Sequence, residues 1–250
     1  MTRNQLIRLS VLLVATSLSL PAAGLAQSQA RDIINQTIKA IGGPAFLEVK
    51  EIQTSGRYFS FKKGDLAAAD YFADFIKFPD MERTEFGGAK NKSITINKGT
   101  QGWTINPKEK EVEPQPVAQS DDFLISFKTS IDYVLRFALS HPQTTIQSLA
   151  SEIIDFKRAD VVEVRDAGRN LIRFYIDRTT RLPMKMQVRR ADKREIHEDV
   201  FGNWHDFQGI MTPMFVSRSI DGLKTMEIRL EIVAYNPGLS DSLFSPTIPK

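Results

Sequence analysis

The spacing of hydrophobic positions changes period along the chain. From Gln29 to Ile41 the apolar residues Ile33, Ile34, Ile38 and Ile41 recur at helical spacing, and Gly42-Gly43-Pro44 supplies a stop. After Val49 the period falls to two and stays near two for most of the chain. Ile52 to Phe61 and Ala67 to Phe78 read as strands joined at Lys63-Gly64-Asp65, and Ser93 to Asn97 and Gly102 to Asn106 flank Lys98-Gly99 in the same way.

The second half alternates more regularly. Val161 to Val164 leads into a turn at Asp166-Ala167-Gly168. Leu171 to Ile176 turns through "DRTTR" into Leu182 to Val188, and "RRADKR" turns again into Glu195 to Phe201. Phe215 to Ile220 meets Asp221-Gly222, a strong hairpin signal, before Met226, Ile228, Leu230 and Ile232 alternate with Glu227, Arg229 and Glu231. In "FYIDRTTRLPMKMQV" the alternation places Ile172, Phe174 and Ile176 on one face, and likewise Leu182, Met184, Met186 and Val188.

One long segment breaks this pattern. "SDDFLISFKTSIDYVLRFALSHP" offers Ser120 as an N-cap and Asp121 and Asp122 in the first turn. Phe123, Phe127, Ile131, Val134 and Ala138 follow along one face, and Pro142 ends the helix. The preceding "PKEKEVEPQPVAQS" reads as a connection into it. The fold class expected is α+β and mostly antiparallel β: one strongly curved sheet with its apolar face covered by two or three helices, in one domain.

The N-terminus stands apart from that domain. "MTRNQLIRLSVLLVATSLSLPAAGLAQSQA" has Arg3 and Arg8, an apolar run from Leu9 to Leu20, and small residues at Gly24 and Ala26, the three-part pattern of a secretory signal peptide. Cleavage is expected after Ala26, giving a signal peptide over 1–26, a mature domain over 27–250 and a periplasmic location. Loss of Arg3 and Arg8 lowers the formal net charge of +3 by two, so no nucleic-acid partner is suggested. The chain has no cysteine, which removes disulfides, thiol catalysis and a thiol-linked lipid anchor together.

Recognised catalytic patterns are missing: there is no G-x-S-x-G, H-E-x-x-H, phosphate loop or G-x-G-x-x-G. The chain therefore reads as a non-enzyme without cofactor or metal. "IHEDVFGNWHDF" gathers His197, Glu198, Asp199, His205 and Asp206, but their spacing fits no ligand signature and reads as a solvated strand and turn. "RRADKR" (189–194) reads as a solvated charged turn that could touch anionic head groups, and Trp103 and Trp204 read as packing residues of the sheet. Methionine is flexible and polarizable, so Met184, Met186, Met211, Met214 and Met226 fit either ordinary core filling or a surface that repacks around apolar ligands.

The motif order then resembles a known family. An opening helix, "FIKFPDMERTEF", "NKGTQGWTINP", a helical insertion, "FYIDRTTRLPMKMQV" and a closing "YNPGLSDSLFSPTIP" resemble the LolA/LolB superfamily of outer-membrane lipoprotein-sorting proteins, over nearly all of the mature chain. The resemblance implies an incomplete, half-open antiparallel β-barrel with a helical lid over an apolar cavity. It also implies that acyl chains of lipids or lipoproteins are the cargo, with envelope membrane proteins that load and unload it.

Combined with the alternation, this makes Ile172, Phe174, Ile176, Met184, Met186, Met226, Ile228 and Leu230 the expected cavity lining, and Phe123, Phe127, Ile131 and Val134 the lid. In LolA carriers a functionally important arginine precedes the proline of the "FIKFPDMERTEF" strand; here Phe78 precedes Pro79, and Arg83 lies further on. The alternatives are an envelope sensor or protein-docking module on the same fold and a metal-dependent hydrolase built on the His197 to Asp206 segment.

Overall fold

The structure, a computed structural model, describes residues 22–88 and 92–248. Its centre is a thirteen-stranded antiparallel sheet in the spatial order β6-β5-β4-β3-β2-β1-β13-β12-β11-β10-β9-β8-β7. The strands are β1 Glu51–Lys62, β2 Asp65–Lys77, β3 Met81–Phe86, β4 Ser93–Lys98, β5 Gln101–Asn106, β6 Glu111–Pro114, β7 Thr145–Ile154, β8 Lys157–Arg165, β9 Leu171–Asp177, β10 Pro183–Arg189, β11 Ile196–Phe207, β12 Ile210–Ile220 and β13 Leu223–Tyr235. Two meanders, β1–β6 and β7–β13, are joined where β1 pairs with β13, from Ile52 opposite Tyr235 to Ser60 opposite Met226. That ladder shifts register between Ser55 and Gly56. A side chain at Gly56 would collide with the Arg229 carbonyl, so the close approach requires glycine. β6 and β7 do not pair, and the barrel stays open.

Turn chemistry accounts for the hairpins read from the sequence. Lys63 and Gly64 have φ of 54° and 90°, and Asp221 and Gly222 have 49° and 79°, the left-handed pairs that two-residue hairpins need. The structure adds strands at β3, β6 and β7, and β11 runs straight through the turn expected near His205. β6, an edge strand, lies inside the stretch read as a connection. All four of its residues are exposed, so it has no buried face to leave a periodic signal.

Helix α1, Ala22–Ile41, lies on β7, β8 and β12. Its Ala30, Ile33, Ile34 and Ile41 are buried with Ile146, Val162, Val164, Ile172 and Phe174 in one cluster. A short α2, Pro44–Leu47, follows. The helix expected as one piece from Ser120 is two: α3 Val117–Lys128 and α4 Ile131–Arg136. Ser120 lies inside α3 rather than at its cap. The break falls at Thr129-Ser130, where the Thr129 hydroxyl donates back to the Ile125 carbonyl at 2.9 Å and Ser130 caps α4 by accepting from the Tyr133 amide at 3.3 Å. Hydroxyl side chains compete with the helical backbone in this way. On the convex side the turn Asp241–Phe244 seats Phe244 against Ile94, Ile96 and Ile105, closing a second core.

Candidate binding cavity

On the concave side of the central strands, alternation aims Ile52 and Thr54 of β1, Phe72 and Ile76 of β2, and Ile228 and Leu230 of β13 into a cavity of about 220 Å³. The ladders bring these positions side by side: Ile52 stands between Ile76 and Tyr235, and Ile228 lies opposite Val216 of β12. Ile41, Phe46 and Ile131, from α1, α2 and α4, form the roof. Tyr235 closes the floor with its hydroxyl 2.7 Å from Thr212 Oγ1, and burial, reinforced by the nearby Asp132 carboxylate, pushes its pKa up to about 12. The phenol therefore stays neutral, and the walls are mostly apolar, with Thr54, Thr212, Asp74 and Asp132 the polar members.

The roof is held by one buried cation. Arg136 of α4 donates from Nε to the Phe46 carbonyl at 2.9 Å, pairs with Asp132, and lies over the Phe46 ring at 3.8 Å. Phe78 stacks between the lid aromatics, 5.7 Å from Phe127 and 5.4 Å from Phe137, with the Arg136 guanidinium 5.3 Å from its ring. Phe78 thus packs against the α3–α4 segment instead of hydrogen-bonding to it. Arg83 is buried on the convex side, bonded to Glu85 and to the Leu243 carbonyl, and faces away from the cavity.

At one end the apolar wall gives way to acids. Asp74 lines the cavity, accepts from Thr84 Oγ1 at 2.8 Å and has Glu82 as a neighbouring carboxyl on the adjacent strand. Crowding by protein raises the Asp74 pKa to about 6. It lifts Glu82 well above the usual carboxylate range, with the adjacent Asp74 charge adding to the rise. Arg218, bidentate on Asp199 at 2.7 and 2.8 Å, opposes the rise at Glu82. Sequence reading missed this cluster, because its members come from five positions on four strands with no common spacing.

The expected lining residues separate into three groups. Ile228 and Leu230 line the cavity, and Met226 shares their strand face further toward the open end of the ladder. Ile172, Phe174, Ile176 and Met186 are instead fully packed in the core cluster that also holds α1 side chains, with Met186 beside Thr129 and Ser130 at the α3–α4 break. Met184 points to the other face of the sheet, against Ala159, Val161 and Tyr175. The cause is a register shift: Pro183 pairs with Ile176 but Lys185 with Tyr175, so one extra residue is accommodated and the alternation inverts at Met184 before resuming at Met186. Of the lid set, Ile131 meets the cavity, Val134 is buried in the core, and Phe127 stacks on Phe123 and Phe78. Trp204, read as packing, lines the cavity with Met211.

The remaining charged motifs are structural in placement. His197 lies 3.2 Å from Glu195 and His205 lies 2.9 Å from Asn203, and among the described residues no three His, Cys, Asp or Glu are grouped to hold a metal ion. In "RRADKR", Arg190 and Lys193 reach Asp122 of α3 at 2.8 and 3.1 Å, strapping that helix across the concave face. Their hydrogen bonds, with Lys193 contributing most, hold Asp122 below the ordinary aspartate range. No described helix is long and apolar enough to cross a membrane.

This open sheet, with a lid and an apolar cavity, has solved counterparts. A DUF1329 family protein from Desulfovibrio piger aligns with a TM-score of 0.62 at 13% identity, covering 88% of this chain and 97% of that one. A LolA superfamily protein from Nitrosomonas europaea aligns with a TM-score of 0.57 at 13% identity, over 88% and 97%. The chain has the LolA fold. A domain from Vibrio parahaemolyticus named for outer membrane lipoprotein sorting aligns with a TM-score of 0.55 at 10% identity, over 87% and 97%. No protein-family model matches the chain, and no curated protein matches it. At these identities the likeness concerns the fold, an incomplete antiparallel barrel with covering helices.

Proposed function

We propose that the protein is a periplasmic carrier that shields acyl chains of lipids or lipoproteins in the concave cavity, without covalent chemistry. The observation that carries this reading is the cavity itself: about 220 Å³ of space inside a LolA fold, walled by Ile52, Phe72, Ile76, Ile228 and Leu230 and roofed by Phe46 and Ile131. A buried methylene contributes roughly 0.8 kcal/mol, so a few of them give usable affinity without polar contacts. The sequence pattern of residues 1–26 supplies the export signal in this reading. Cleavage after Ala26 would leave Gln27 onward to form α1; residues 1–21 lie outside the described residues. Loading and unloading then fall to envelope membrane proteins that act on the α3–α4 roof.

Phe78 favours one variation. With a phenyl ring packed against Phe127 and Phe137 where LolA carriers use an arginine, the roof is seated by stacking and by Arg136. An envelope sensor, whose roof moves only when an acyl chain wedges under Phe46 and Ile131, uses the same cavity.

Native mass spectrometry of exported, detergent-free protein, followed by organic extraction, tests the carrier reading. A lipid-sized mass released by extraction is the expected result. A bare chain mass that stays unchanged after incubation with phospholipid or lipopeptide would overturn it.

A further inference from the structure

The cavity is closed at one side by very little. At about 220 Å³ it falls below the roughly 300–1,000 Å³ usual for pockets that enclose a small ligand, and a long acyl chain does not fit inside it. Next to it the sheet is split. The β10–β11 ladder begins only at Lys185 opposite Val200, whereas β11 runs on to Phe207 paired with β12 alone. Both borders of the split are irregular: the extra residue at Met184 bends β10 away, and Asn203 on β11 adopts a φ of 53°. Outside the split lies a second pocket of about 460 Å³, with Ile154, Leu182, Pro183 and Met184 as apolar wall and Asp155, Lys157, Asp177 and Lys185 at its rim.

Phe201, Trp204 and Met211 line both spaces. These three residues border the inner cavity on one side and the outer pocket on the other, along the stretch of β11 that has no β10 partner. Trp204 is only half-buried, and Met211 has the rotamer freedom to swing aside. Beyond the outer pocket the β7–β8 hairpin carries Ile153 at 73% exposure and Phe156 fully in water, so apolar surface continues to the mouth. A Lys157–Asp177 ion pair at 3.6 Å marks where the pocket meets solvent.

We infer that the split between β10 and β11 is a lateral subsite for the far end of a long unbranched acyl chain, entered from the central cavity between Trp204 and Met211. This rests on the carrier reading. The occupant is a methylene chain because it is thin and brings no hydrogen-bonding groups that the apolar partition would leave unpaired. The shallow position of Met184, misread from the alternation as a cavity residue, gives it a place in this outer wall.

Chain length separates the subsite from the cavity. Octanoate and palmitate are titrated calorimetrically into the full-length mature protein, wild type, Met184→Asp and Met184→Leu. Met184 lines the outer pocket only and is half-buried on the convex side, so its replacement leaves the inner cavity untouched. Palmitate is expected to bind wild type more tightly than octanoate. Met184→Asp should weaken palmitate about tenfold and leave octanoate unchanged, while Met184→Leu behaves as wild type. If palmitate binds Met184→Asp as tightly as wild type, or if both ligands weaken equally, the lateral subsite is wrong although the cavity still binds acyl chains. If neither ligand binds wild type, the carrier reading falls first and takes the subsite with it.

Discussion

The two halves of the concave face start from the same alternation and end as different things. On β8, β9 and β10 the inward residues Val162, Val164, Ile172, Phe174, Ile176 and Met186 are packed solid, in one cluster with the apolar stripe of α1 and with Val134 and Leu135 of α4. On β1, β2, β12 and β13 the inward residues Ile52, Phe72, Ile76, Val216, Ile228 and Leu230 border the cavity, because only the end of α1 at Ile41 and the short α2 and α4 reach over them. A dry strand face is thus a core or a binding site according to what covers it. The covering helix decides, and it lies far away in sequence.

The sharpest break of this comparison is to truncate one residue on each side. Phe174→Ala in the packed half should lower stability by about 3–5 kcal/mol in urea denaturation, and Met186→Asp should fail to fold, since it buries a charge in the apolar core. Ile228→Asp in the open half should leave the urea midpoint close to wild type while lowering palmitate affinity at least tenfold, measured by titration. Equal destabilisation by Phe174→Ala and Ile228→Asp would mean that the two halves are packed alike.

A smaller effect concerns the acid pair beside the cavity. The folded-state pKa values of Asp74 and Glu82 are raised, so protonation favours the folded state; the stability they contribute is complete below the ordinary carboxylate range and is lost as pH rises, through about 6 for Asp74 and well above the ordinary glutamate range for Glu82. Glu82→Gln should therefore raise stability at pH 8 by about 1 kcal/mol, or roughly 3 °C in melting temperature, and change nothing at pH 4. A variant that melts below wild type at pH 8 would show that the folded protein stabilises the Glu82 carboxylate instead of opposing it. The smallest effect is expected at the strap: Asp122→Asn, which loosens α3 from Arg190 and Lys193, should cost about 0.5 kcal/mol and should do so less at high salt.

Local signals carried much of the architecture. Hairpins at Lys63-Gly64 and Asp221-Gly222, the helical stripe Ile33, Ile34, Ile38 and Ile41, and the alternation from Met226 to Ile232 all mark their elements through backbone and turn preferences that need no partner. The strands that left no clear signal, β6 and β7, have mostly exposed or intermediate residues and so no strict period. The helical lid was legible as apolar helix and illegible as two helices, since Thr129 and Ser130 act on the backbone only once α3 and α4 must turn over the sheet.

What the amino-acid sequence by itself determined is which faces are apolar, where the chain turns, and that the fold is an antiparallel sheet with a helical cover. Those properties are set within a few residues, by side-chain period and by φ preference. Only the tertiary structure decided which apolar face stays open, that Met184 faces away from the cavity, and that Asp74 and Glu82 meet beside it. Each of these depends on pairing register and on the placement of distant helices, and a shift of one residue or one covering helix reverses the outcome without altering any local pattern.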